Sequence, residues 1–169
     1  ALLADGKYRE AVNGFDRAIQ LDASDLDLHR GRAWARLFGG DYTRAIEDFS
    51  DHIRAQAQRM IHLMEDAYGI GLAAPQIGIS NRLLVYRVGD TPPVVLANPV
   101  IEWNSDDEEA FEEGCLSLPG VVVEVERPLF IRVRGVDQTG DGLLIEASGL
   151  EARVLQHEID HLDGVLMID

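Results

Sequence analysis

At 169 residues with 46% hydrophobic composition, the chain can build one ordinary domain or two small ones and is not a disordered polymer. Thirty Asp and Glu against fifteen Lys and Arg leave a net charge of −15, which sets nucleic acid and anionic membranes aside as direct partners. One cysteine, no apolar run of membrane-span length and no basic-then-apolar leader exclude an internal disulfide and predict a reducing, cytoplasmic location.

The first 53 residues repeat at an offset of 34: ALLADGKYREAVNGFDRAI (1–19) overlays ARLFGGDYTRAIEDFSDHI (35–53). Ala1/Ala35, Leu3/Leu37, Gly6/Gly40, Tyr8/Tyr42, Ala11/Ala45, Phe15/Phe49 and Ile19/Ile53 are identical. With its G-x-Y-x-x-A-x-x-x-F spacing this segment resembles tetratricopeptide repeats, which implies helical pairs able to dock a protein or peptide partner. LDASD (21–25) stands where that family places a Pro-containing turn, and Asp22 and Ser24 are the expected caps. The first repeat opens inside its first helix, as a truncated N-terminus would. From Asp41 to Tyr68 there is neither Gly nor Pro, and Ile46, Phe49, Ile53, Ala57, Met60, Met64 and Ala67 recur at helical spacing. One continuous helix from Tyr42 to Ala67, stopped by Gly69, is predicted to join an all-α segment (1–53) to a second domain (54–169).

Beyond Gly69 the texture becomes β-branched. Strands are predicted over 82–88, 93–101, 121–128, 129–137 and 142–149, with short turns that imply antiparallel pairing. A helix then follows from Leu150 to His161. The order helix, strands, helix reads as α+β.

Three stretches of this second part carry chemistry. In QHEIDH (156–161), His157 and His161 lie at i and i+4, so one helical face presents both imidazoles, with Glu158 beside them. By itself this is either half of a metal site or a pair of solvated histidines. A catalytic metal needs three protein ligands and an open position, and Cys115 in FEEGCLSLPG (111–120) offers the third. Read blandly, a lone cysteine is a small buried hydrophobe. GIGLAAPQIG (69–78) has the small residues that let a substrate backbone approach, and Gln76 can donate an amide hydrogen bond to a developing oxyanion. The cysteine argues against an ordinary H-E-x-x-H peptidase, whose third ligand is Glu, His or Asp.

Taken together and in this order, G-x-G-L-A-A-x-Q, E-G-C-L-S and Q-H-E-x-x-H resemble peptide deformylase over residues 60–169. The resemblance implies mostly antiparallel sheets around a central metal-binding H-E-x-x-H helix. It implies one divalent metal ion held by Cys115, His157 and His161, ferrous iron in the family, with zinc, nickel or cobalt as substitutes. A water in the fourth position would attack the formyl group of a formyl-methionyl peptide or nascent chain. Gln76 and the backbone N–H of Leu116 would stabilise the oxyanion, and Glu158 would carry the proton. Ile70, Gly71, Glu113 and Gly114 would lie along the substrate backbone. The methionine pocket would be formed by Ile70, Phe111, Leu150 and Val154. Val122 replaces a polar or basic residue common in the family, and the family's opening strand and the C-terminal helix of one branch are missing. The competing reading is a tetratricopeptide-type docking scaffold whose deformylase part is structural.

Overall fold

The computed structural model describes residues 7–23 and 25–169. The repeat positions Ala1, Leu3 and Gly6 and the expected cap Ser24 lie outside the described residues. Two compact units divide the chain, Ala1–Gln56 and Ala57–Asp169.

In the first unit, α1 (Tyr8–Leu21) and α2 (Leu26–Phe38) form a helical pair, followed by the start of α3 (Tyr42–Asp66). Small residues sit where these helices meet: Ala11, Ala33, Ala35 and Ala45 are all buried. Gly31 lies so close beneath Phe15 that a Cβ there would meet the ring at 2.5 Å. The N-terminal cap of α2 is Asp25, whose carboxylate accepts from the Asp27 N–H at 2.9 Å. Asp22 instead ends α1, its N–H donating to the Ala18 carbonyl. Buried Asp48 of α3 binds Arg32 (2.7 Å) and Arg36 (2.8 Å), and Arg32 also reaches Asp16 of α1. Among the described side chains of α3 up to Gln56, the buried ones are Ala45, Asp48, His52 and Gln56, and Ile46 lies outside the described side chains. Phe49 and Ile53 of the predicted apolar stripe are only half-buried. The expected long helix is present, and it stops with Tyr68 in the left-handed region (φ 55°).

The second unit holds a five-stranded antiparallel sheet in the order β1-β2-β3-β6-β7: β1 Gly71–Ala73, β2 Leu83–Tyr86, β3 Val94–Asn104, β6 Phe130–Val136 and β7 Gly142–Ser148. Here β2, β3, β6 and β7 fall within or beside four of the predicted strands. At Asn98 (φ 51°), before Pro99, the β3–β6 register shifts. The hairpin of β4 (Glu108–Cys115) and β5 (Leu118–Pro128) is a separate two-stranded sheet. The last helix, α4 (Gly149–Asp163), lays Ala152, Val154, Leu155 and Ile159 on Leu84, Leu96, Ile131 and Val133 of the five-stranded sheet in one apolar cluster. Gly164 (φ 79°) closes it, with the Val165 N–H donating back to the Asp160 carbonyl at 2.8 Å. Among the described residues no helix is long and apolar enough to cross a membrane.

Candidate metal centre and active site

Eight of the fifteen α4 residues are buried, and Arg153, Gln156, Glu158 and His161 are among them. A buried polar face of this kind has to be satisfied by partners or serve a ligand. The spacing of four brings His157 and His161 together, their rings edge to face with centroids 4.7 Å apart and their Nε2 atoms at 3.1 Å. Cys115, the last residue of β4, brings its Sγ to 3.1 Å from His161 Nε2. These three donor atoms lie within 4.8 Å of one another, the only such group of three His, Cys, Asp or Glu among the described residues.

Protonation follows from the surroundings. His157 Nδ1 lies 2.9 Å from Glu113 Oε2. Burial pushes the Glu113 carboxyl up, but hydrogen bonds from His157, Arg127 and Arg153 outweigh it and hold the pKa at about 2. The carboxylate is thus an acceptor only, so Nδ1 of His157 donates to it and Nε2 is the ring atom that faces Cys115 and His161. Burial first, and then the neighbouring His157, lower the pKa of His161. Two imidazole nitrogens and one thiol sulfur converging in this way are a donor set suited to a divalent transition metal. The two Nε2 atoms stand 3.1 Å apart with the Cys115 sulfur beside them, where one cation could take all three donors.

Around these donors stands the rest of the expected site. Glu158 is 4% exposed, its Oε2 has no hydrogen-bond partner, and burial alone pushes its pKa up to about 8. Gln76 sits in a 3-10 turn (Ala74–Ile77) after β1, and its orientation is fixed from both ends. The Ala73 N–H donates to its Oε1 at 2.7 Å, which turns Nε2 toward Ser117 Oγ (3.1 Å) and Cys115 Sγ (3.7 Å). Leu116 follows Cys115 in the hairpin turn. A cavity of about 610 Å³ opens beside them. Its walls include Ile70, Gly71, Phe111, Gly114, Leu150 and Val154, and also Gln76, Cys115, Leu116, His157 and Glu158. Val122, 58% exposed, lines its edge. Glu113 reaches the same wall, but its carboxylate is taken up by His157, Arg127 and Arg153.

A family model described as polypeptide deformylase matches residues 41–169. The chain belongs to that family. Among its relatives, the peptide deformylase of Thermosynechococcus vestitus is 46% identical over 130 residues, 75% of this chain and 69% of that protein. The one from Rhizobium meliloti is 48% identical over 128 residues, 73% of this chain and 74% of that protein. Among solved structures, the Thermotoga maritima peptide deformylase superposes with a TM-score of 0.69 at 45% identity, covering 70% of this chain and 80% of that one. The Synechococcus elongatus peptide deformylase, in complex with actinonin, gives 0.68 at 48% identity, covering 70% of this chain and 65% of that one.

Deformylases are metal-dependent enzymes, and the Cys/His cluster is where this one has the donors for a metal. The tetratricopeptide expectation gains no such support. The deformylase match starts at residue 41 and takes in α3, so the second supposed repeat overlaps the matched family. Buried alanines and an aromatic at helical spacing are what any close helical pair requires, which is why the pattern looked like a repeat. Sequence reading also missed Arg127, Arg153 and Ser117. One signal was available: Arg153 interrupts the apolar run Ala152–Leu155 one turn before His157.

Proposed function

We propose that this deformylase removes the formyl group from formyl-methionyl peptides and nascent chains at the Cys115–His157–His161 centre, releasing formate. The observation that carries the reading is the convergence of one thiol and two imidazoles, with Cys115, His157 and the buried Glu158, whose Oε2 has no hydrogen-bond partner, on the wall of one cavity. When bound, a divalent cation there would supply Lewis acidity toward water and toward the formyl oxygen. Ferrous iron is the proposed physiological metal, with zinc, nickel or cobalt as substitutes. The chain's own residues do the rest. Glu158 takes a proton from the attacking water and passes it to the departing amine. The Gln76 amide, already turned toward Cys115 by its bond from Ala73, donates to the tetrahedral oxyanion together with the Leu116 backbone N–H. Ile70, Phe111, Leu150 and Val154 receive the methionine side chain, while Gly71, Glu113 and Gly114 border the peptide backbone. Residues 54–169 form the catalytic part, which follows the segment that holds α1 and α2.

Formate release from a formyl-methionyl peptide, with protein loaded anaerobically with iron or nickel, tests the reading. Wild type should turn over. Glu158→Ala should lose at least about 100-fold in kcat while elemental analysis finds its metal retained. A silent wild type would favour a non-catalytic role, and metal lost from the variant would mean that Glu158 is a ligand.

A further inference from the structure

The three donors come from two bodies of structure. His157 and His161 ride on α4, whose apolar face is set in the cluster with the five-stranded sheet. Cys115 ends β4, and among the described residues none of 108–128 contributes to that cluster. Apolar burial therefore fixes the histidines, while the distance from the thiol to them depends on how the hairpin is held against the helix.

Polar bonds hold it. Arg153, only 8% exposed, donates from Nη1 to Glu113 Oε1 and to the Val125 carbonyl, each at 2.8 Å, and from Nη2 to the Glu109 carbonyl at 2.6 Å. One guanidinium on the helix thereby grips both strands of the hairpin, and its carbon also lies 5.7 Å from the centre of the Phe111 ring. Arg127 works from the other side, binding Glu113 through Nε (2.6 Å) and Nη2 (3.0 Å) and Asp160 of α4 through Nη1 (2.8 Å). With His157 added, Glu113 accepts four hydrogen bonds and has no room to turn. A planar fork of fixed donors can make this set of contacts, and a lysine ammonium cannot.

We propose that Arg153 is a positioning residue for the three-donor centre: it docks the β4–β5 hairpin on α4 and so sets the separation of Cys115 from His157 and His161. This rests on the reading of those three residues as metal ligands. Co2+ is the probe, because a cobalt–thiolate bond absorbs where a cobalt–imidazole bond does not. Wild type, R153M, R153K and R132M are titrated with Co2+ against a competing chelator while the thiolate band is followed. R132M is the control, since it removes an exposed arginine paired with Glu146 on the sheet. R153M should bind Co2+ about tenfold more weakly or worse, with the band diminished as Cys115 leaves the ligand set. R153K should recover part of both, and R132M should match wild type. An R153M that keeps the wild-type near-UV dichroism, affinity and band overturns the proposal. Should R153M fail to fold, R153K decides it in the same way. A wild type that gives no thiolate band overturns the ligand reading itself, a result separate from equality between variant and wild type.

Discussion

Glu158 stays where it is partly because of what Gly71 lacks. A Cβ built on Gly71 would collide with the Glu158 carboxyl and come within 2.9 Å of its Cγ. The φ of Gly71 is not positive, so alanine suits the backbone, and the conflict lies wholly with the side chain it would displace. Gly71→Ala should thus retain its metal and lose about 100-fold in kcat, the cost of misplacing a catalytic group by about an ångström. Wild-type kcat in that variant would show that Glu158 is free to move. From the sequence, Gly71 was readable only as a place for substrate to approach, because its neighbour Glu158 is far along the chain. The histidine pair was legible, since helical geometry alone brings i and i+4 together. Glu113 was legible only as a neighbour of the substrate backbone; its bonds to Arg127, Arg153 and His157 were not, because those partners stand 14, 40 and 44 residues away.

The end of α3 shows a local rule broken. The Tyr68 N–H donates to the Glu65 carbonyl and the Gly69 N–H to the Met64 carbonyl at 2.8 Å, a helix stop that wants glycine at its left-handed position. That position is Tyr68, 97% exposed, and Gly69 comes one residue later. Relief of left-handed strain in Tyr68→Gly is worth about 1–2 kcal/mol, against about 0.4–1 kcal/mol of added unfolded-state entropy. A net gain of between about 0 and about 1.6 kcal/mol follows, to be read as a rise in the urea midpoint at unchanged m. A fall would mean that the ring has a partner. Strand legibility divides by composition. The β-branched runs could be read, whereas β1 is only Gly-Leu-Ala, and β4 (EEAFEEGC) carries charges that depress strand propensity. Both flank the site, so the elements hardest to read are those that shape it.

At the scale of the whole catalytic unit, α4 meets β2 through one polar contact inside an apolar interface. The Tyr86 hydroxyl, on a residue 2% exposed, donates to Glu151 Oε1 at 2.8 Å. Burial, then the hydrogen bond and charge of Glu151, raise the phenol pKa above its ordinary 10. The folded value exceeds the unfolded one, so this stabilisation is complete below pH 10 and is lost as pH rises beyond it, by up to about 1.4 kcal/mol per pH unit. Tyr86→Phe should start lower near neutrality by about 1 kcal/mol and then lose less than wild type between about pH 7 and about pH 11. Parallel urea midpoints across that range would count against the assignment.

The separateness of the β4–β5 hairpin has a further consequence for how this molecule comes apart. Local opening follows the boundary between well-buried and weakly buried structure, and here that boundary runs between the thiol and the imidazoles. A fluctuation that lifts the hairpin would carry Cys115 into solvent while α4 and its sheet stay folded. That seam is then the one along which the centre can lose its sulfur to oxidants, and with a single cysteine in the chain there is no neighbouring thiol to repair it by disulfide exchange.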